Sequence, residues 1–418
     1  MSPDSHQLVF SRARPAPHSL RAAGPQPAGR RLVAASLIVA WVLAAELLAG
    51  GAPAGAPSKK LIEYGWDVPT PAQMRDQLPA MEKRPFDGLI FQLSGGHNAF
   101  VTKPLEASGF AEDERILRDL PFTRFQDNFV LVWGSPAADF DWFSDGQWEA
   151  IEANAKLLVG VAQAGRVKGI CFDPEPYDFS LWNYAKQPKT NDHTFAEYRA
   201  KVRERGAQLM RAFETAMPGA TILTFFHLSL FDRYATLPEA ERERRLARER
   251  WGLMPDFFVG MLAAASPKAR FIDGNENAYY YTSREQYFRA YHAIHERARG
   301  LVPPELREKY ERQVQAGQAL YVDQNFALRQ PNTEKYLSYR MTPEDRAKWF
   351  EHNTYWALYT TDEYVWCYSE RMNWWKDQTP PGLEQAIVNA REKITEGKPL
   401  GFDMEGIIAA AEKGSGGR

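Results

Sequence analysis

The chain has 418 residues, 44% of them hydrophobic and 13% aromatic, with 51 Lys and Arg against 53 Asp and Glu for a net charge of -2. That length holds one large barrel-type core or two smaller domains, and the apolar content excludes disorder as a description of the whole. A balanced charge with no basic stripe beyond the first residues excludes a nucleic-acid partner held by its phosphates.

Residues 1–57 differ in character from the rest. Arg12, Arg14, Arg21, Arg30 and Arg31 lie among Pro, Gly and Ala, followed by the apolar run "LVAASLIVAWVLAAELLAG" and then "GAPAGAP". A basic leader, an apolar stretch and small residues such as Ala52 and Ala54 are the marks of an export signal, placing the mature protein in the periplasm or outside the cell. The alternative is a retained membrane anchor, since the run approaches spanning length despite Glu46 within it. The expected divisions are 1–57 for signal or anchor, 58–405 for the folded domain and 406–418 for a flexible tail. Cys171 and Cys367 each sit in an apolar run and are expected to be buried free thiols.

From residue 60 onward, eight short apolar runs recur in order. They are "KLIEYGW" at 60, "FDGLIFQL" at 86, "NFVLVWG" at 128, "VKGICFD" at 167, "ATILTFFH" at 220, "ARFIDGNE" at 269, "ALYVDQNF" at 319 and "EYVWCYSE" at 363. Between them lie amphipathic segments. "DGQWEAIEANAKLLVGVAQAG" sets Trp148, Ile151, Ala155, Leu158 and Val161 near one face and stops at Gly165. "TFAEYRAKVRERGAQLMRAFETAMPG" repeats the pattern, and "SREQYFRAYHAIHERARG" starts at a Ser283 cap with Glu285 nearby. "PDFFVGMLAAASPKARFIDGNE" is read as a short helix or loop piece over the barrel mouth followed by a strand, and "EAERERRLARER" as a solvated helix.

Strand alternating with helix eight times predicts an α/β fold, a (β/α)8 TIM barrel with extended loops at the C-terminal face of its strands. A doubly wound sheet is the rival, but no glycine-rich phosphate fingerprint follows the first strand.

In such a barrel the chemistry belongs to the residues that follow each strand. Carboxylates, amides and large aromatics follow most of them, and loop polarity alone does not explain the aromatics. Exposed rings suit the apolar C–H face of a sugar, and carboxylates and amides suit its hydroxyls. Glycosidic hydrolysis needs two carboxyl groups flanking the bond, one protonated and one ionised. Glu175 in "VKGICFDPEPYDF" is the expected acid, because Pro174 and Pro176 restrict its backbone. Asp173 stands two residues earlier, roughly 6 to 7 Å away along an extended segment, where its field can keep Glu175 protonated. The partner is Glu370 first, with Glu276 and Asp273 as competitors. Trp66, His97, Trp133, Tyr177, Trp182, His227, Tyr280, Asp323 and Trp374 are the expected substrate-binding residues.

No ligand spacing for a metal is evident: His292 and His295 lack a matching glutamate motif, and no helical calcium loop occurs. No cofactor is expected. The expected partner is an oligo- or polysaccharide substrate, with any membrane attachment confined to the N-terminal segment and a homodimer open.

The pattern over residues 58–400 resembles glycoside hydrolases of the barrel superfamily. Its nearest motif is that of the chitinase-like group, D-x-x-D-x-D-x-E on the fourth strand. Asp173 and Glu175 match the last two acidic positions, while Lys168 and Cys171 replace the earlier aspartates. The resemblance implies Glu175 as the acid and does not extend to assistance by an N-acetyl group. A non-catalytic carbohydrate-binding barrel would keep the aromatics without needing the carboxyl pair.

Overall fold

The computed structural model describes residues 58–177, 179–329 and 336–413. The signal or anchor expected over 1–57 lies outside the described residues, and no described helix is long and apolar enough to cross a membrane.

Nine strands form one parallel sheet: β1 (Lys60–Gly65), β2 (Gly88–Phe91), β3 (Phe129–Trp133), β4 (Gly169–Asp173), β5 (Thr221–Thr224), β6 (Arg270–Asp273), β7 (Val314–Ala316), β8 (Gln318–Tyr321) and β9 (Tyr364–Ser369). Their order is β7-β6-β5-β4-β3-β2-β1-β9-β8. The two ends of that order, β7 and β8, are consecutive in the chain and separated only by Gly317. The seventh apolar run supplies β8, which pairs with β9, while β7, just before that run and not read as a strand from the sequence, pairs with β6; the two form one bent strand. This closes the sheet into a TIM-like barrel, and each of the eight apolar runs contains a strand. At the bend, the Gly317 amide donates to the Asp273 carbonyl at 2.8 Å. A Cβ there would stand 2.7 Å from the Ile272 side chain and 3.0 Å from that carbonyl, so the approach requires glycine.

The strands are buried on both faces, as parallel sheets under a helical layer must be. Helix 145–163 buries Trp148, Ile151, Ala155 and Leu158, the face read from the periodicity. Helix 195–216 begins with Thr194 and Glu197 exchanging side-chain-to-backbone bonds, a capping box. Helix 284–292 also begins with a capping box, in which Gln286 rather than Glu285 answers Ser283.

The segment read as a short helix or loop piece over the barrel mouth is the helix Met254–Ala264, almost wholly buried. It packs side by side with helix 195–216 so closely that a Cβ on Gly260 would lie 2.0 Å from the Arg203 carbonyl oxygen. Its Phe257 joins a layer of rings with Phe172, Trp142 and Trp182. Residues 406–413, expected within the tail, belong to a helix Met404–Lys413. There Met404, Ile408 and Ala411 find apolar cover in Met341 and Trp349 from a distant stretch of sequence. Cys171 and Cys367 are buried free thiols.

Candidate functional site

The C-terminal mouth of the barrel is floored by rings. Tyr64, Tyr368 and Tyr321 stand in one register row across β1, β9 and β8. Below and beside them, Trp366 stacks on Phe225 with centroids 4.4 Å apart, and Phe225 stacks on Tyr64 at 4.9 Å. Tyr279 lies parallel to Tyr368 at 5.6 Å and reaches Tyr321 at 4.7 Å. The Trp366 indole N–H donates to the Gly274 carbonyl at 2.8 Å, which fixes the floor to the end of β6.

Four carboxyl groups act on this space. On β4, the Asp173 carboxylate accepts the Glu175 backbone N–H at 2.9 Å and the Tyr177 hydroxyl at 2.8 Å. The intervening Pro174 carbonyl accepts the Trp182 indole N–H at 2.7 Å. The D-P-E turn is therefore gripped from both sides, and Glu175 is held half-buried at the strand's end.

On β6 the turn is made differently. Asp273, fully buried, accepts the backbone N–H groups of Ser229 at 3.1 Å and Asn275 at 3.4 Å. Asn275 adopts φ 45°, a left-handed conformation that asparagine tolerates, and its side-chain amide donates to Gln318 Oε1 at 2.7 Å. This reverses the chain into the short helix Glu276–Tyr280 and brings Glu276 within the field of Glu175, Asp173 and Glu370.

At β9, Asp323 accepts the backbone N–H groups of Glu370 at 2.8 Å and Arg371 at 2.9 Å, while the Tyr321 hydroxyl donates to Glu370 Oε1 at 2.9 Å.

The electrostatics follow from burial and like charge. Burial foremost, then the negative fields of Glu175, Asp173 and Glu370, push the Glu276 carboxyl well above the usual carboxylate range. Its carboxyl makes no hydrogen bond among the described residues, so nothing there favours its charged form. Asp173 is pushed up to about 7 by burial and by Glu175, against the two hydrogen bonds it accepts. Burial raises Asp323 and Asp273 to about 6 each.

The other expected binding residues divide into three groups. Trp133 lies at the rim between Tyr177 (5.0 Å) and the edge-on ring of His97 (4.3 Å). Trp66, 55% exposed, and Tyr280, 48% exposed, also stand at the rim, and the Tyr280 hydroxyl accepts from Arg329 at 3.2 Å. Asp323 and Trp182 act from behind, on the backbone that carries the carboxyls. His227 and Trp374 lie away from the pocket. His227 is fully buried against Phe258 and Phe271, and burial pulls its pKa down to about 3. Trp374 is buried edge-on against Phe86.

Tyr64, Tyr321, Tyr368 and Trp366 were not among the residues expected to bind substrate. Three of them end their runs in "IEYG", "ALYV" and "WCYS", a sequence signal that becomes meaningful only when the register aligns them.

Among the described residues, no group of three or more His, Cys, Asp or Glu side chains is placed to hold a metal ion.

No protein-family model matches the sequence, and no curated protein matches it. Among solved structures the chain is similar to a GH18 chitinase from Pseudoalteromonas aurantia, at 10% identity and TM-score 0.37, over 79% of this chain and 100% of that one. It is also similar to a Bacteroidetes-affiliated GH5 cellulase linked with a polysaccharide utilization locus, at 13% identity and TM-score 0.38, over 81% of this chain and 88% of that one. An exo-beta-1,4-mannosidase from Opitutaceae bacterium strain TAV5 aligns at 13% identity and TM-score 0.38, over 81% of this chain and 60% of that one. Likeness at this level is distant, and the barrel assignment rests on the strand pairing itself.

Proposed function

We propose that this protein is a glycoside hydrolase acting on an oligo- or polysaccharide, with Glu175 and Glu276 as the reacting carboxyls. The observation that carries the reading is Glu276. It lies at the barrel mouth within the field of Glu175, Asp173 and Glu370, and its carboxyl makes no hydrogen bond among the described residues. Two carboxyls held in different environments are what acid-assisted cleavage of a glycosidic bond requires.

The proton rests on Glu276, the carboxyl that burial and three negative neighbours disfavour as an anion. Glu276 then protonates the departing oxygen, and Glu175 enters the reaction ionised, as base or nucleophile. This exchanges the roles expected from the D-x-E motif alone. Asp173 fixes the Glu175 backbone and supplies negative field, and Tyr321 orients Glu370 as a further wall of the pocket. The tyrosine row and Trp366 present the apolar surface on which a sugar ring lies.

Hydrolysis of a panel of polysaccharides and aryl glycosides by the parent, Glu276→Gln and Glu175→Gln tests both claims. Loss of the acid is forgiven when the leaving group needs no proton. Glu276→Gln is therefore expected to lose about 100-fold or more on natural linkages and to keep most activity on dinitrophenyl glycosides. Glu175→Gln is expected to lose both. The opposite pattern would return the acid role to Glu175, and binding without turnover across the panel would leave a carbohydrate-binding barrel.

A further inference from the structure

A concavity lies against Trp66 at the barrel mouth. It is a cavity of about 530 Å³ between the loops after β1 and β9 and the helix Pro71–Met81. That volume falls within the range of ligand clefts, about 300–1,000 Å³. Trp66 lines this cavity and ties it to the ring floor of the barrel mouth. Its indole N–H donates to the Tyr368 hydroxyl at 2.9 Å, and Tyr368 belongs to the pocket floor. The Arg371 guanidinium lies 5.7 Å from the Trp66 ring centroid.

The lining is chemically specific. Trp375, half-buried, is pinned by its indole N–H to the Asp67 carbonyl at 3.0 Å and by its backbone N–H to Asn373 Oδ1 at 2.9 Å. Gln77 and Gln92 line the cavity with side-chain amides that make no hydrogen bond among the described residues. The charged side chains lining it are Lys376 and Asp67, and Asp67 already accepts the Trp374 backbone N–H at 2.7 Å. One cation is too few for a phosphate-rich ligand, and uncommitted amides beside indoles would be left unsatisfied by a purely apolar one. A neutral polyhydroxylated ring satisfies both kinds of surface.

We infer that this groove is a distal sugar-binding site, which takes further units of the same saccharide chain whose scissile bond lies in the carboxyl pocket. The inference rests on the hydrolase reading for the identity of the chain. The groove lengthens the binding track past Trp66, so the protein favours oligomers over short fragments.

Binding of β-linked glucose, mannose and N-acetylglucosamine oligomers of two to six units to the full chain carrying Glu175→Gln is measured by tryptophan fluorescence and calorimetry, beside hydrolysis of the same oligomers by the parent. For the recognised sugar, the six-unit oligomer is expected to bind about tenfold more tightly than the two-unit one. Gln77→Ala combined with Lys376→Ala is expected to abolish that gain and leave two-unit binding unchanged. Equal affinity at all lengths, a gain that survives the double substitution, or no binding at any length overturns the groove. A length-dependent gain lost in the double variant, without hydrolysis by the parent, supports the groove and overturns the hydrolase reading. Hydrolysis without any length gain does the reverse.

Discussion

Glu63 on β1 is fully buried, and the group that acts on its carboxyl from nearby is the Asp67 carboxyl, with which it shares a hydrogen bond. Burial first and the nearby Asp67 second push it well above the usual carboxylate range. A carboxyl whose folded pKa is raised takes up a proton on folding, so its contribution is least unfavourable below the unfolded value. It costs increasing stability as pH rises from the ordinary carboxylate range toward the folded pKa. Glutamine mimics the protonated form. Glu63→Gln is therefore expected to melt with the parent at pH 4 and on the order of 2 °C above it at pH 8, measured by calorimetry at both pH values. A lower melting temperature at pH 8 would show that the carboxylate itself has a partner. Asp273 shows the opposite economy for a buried acid: its oxygens accept two backbone N–H groups and so build the turn that delivers Glu276.

Among the elements, helices 195–216 and 254–264 approach each other backbone to backbone. The approach needs the absence of a side chain at Gly260, where a Cβ would lie 2.0 Å from the Arg203 carbonyl oxygen. Gly260→Ala must separate the two helices, at a cost of about 3 kcal/mol. Gly160 in helix 145–163 has open space around its missing Cβ, so Gly160→Ala is expected to stabilise by about 1 kcal/mol. Urea midpoints of the two variants should move in opposite directions, and a common shift would contradict the packing described. The helix 254–264 is hard to place from sequence because "FFVGML" is continuously apolar, which a buried strand and a buried helix share. The strand runs were legible because parallel strands covered on both faces must be continuously apolar, and turn residues bound them.

At the scale of the whole molecule, every described element lies within residues 60–413. A protein beginning at residue 58 is accordingly expected to fold alone and to melt in one cooperative transition, by circular dichroism, at the temperature of the full chain. A broad or absent transition would show that residues 1–57 contribute to the fold.

The sequence by itself determined the alternation of strand and helix, hence the barrel, and hence that chemistry belongs to the residues after each strand. That much is local: hydrophobic period, caps and breakers act over a few residues. It also singled out the D-P-E segment, because two prolines around a carboxylate are visible without any fold. Only the tertiary structure decided which rim residues face one another. Trp182, Asp273 and Trp374 carry the same side chains as rim residues, yet they lie behind or away from the pocket, because orientation depends on which neighbour each strand end meets. The tyrosine row exists only once β1, β8 and β9 are in register. The ionisation of Glu276 likewise depends on burial and on like charges brought from the ends of β4 and β9, about 100 residues away along the chain on either side.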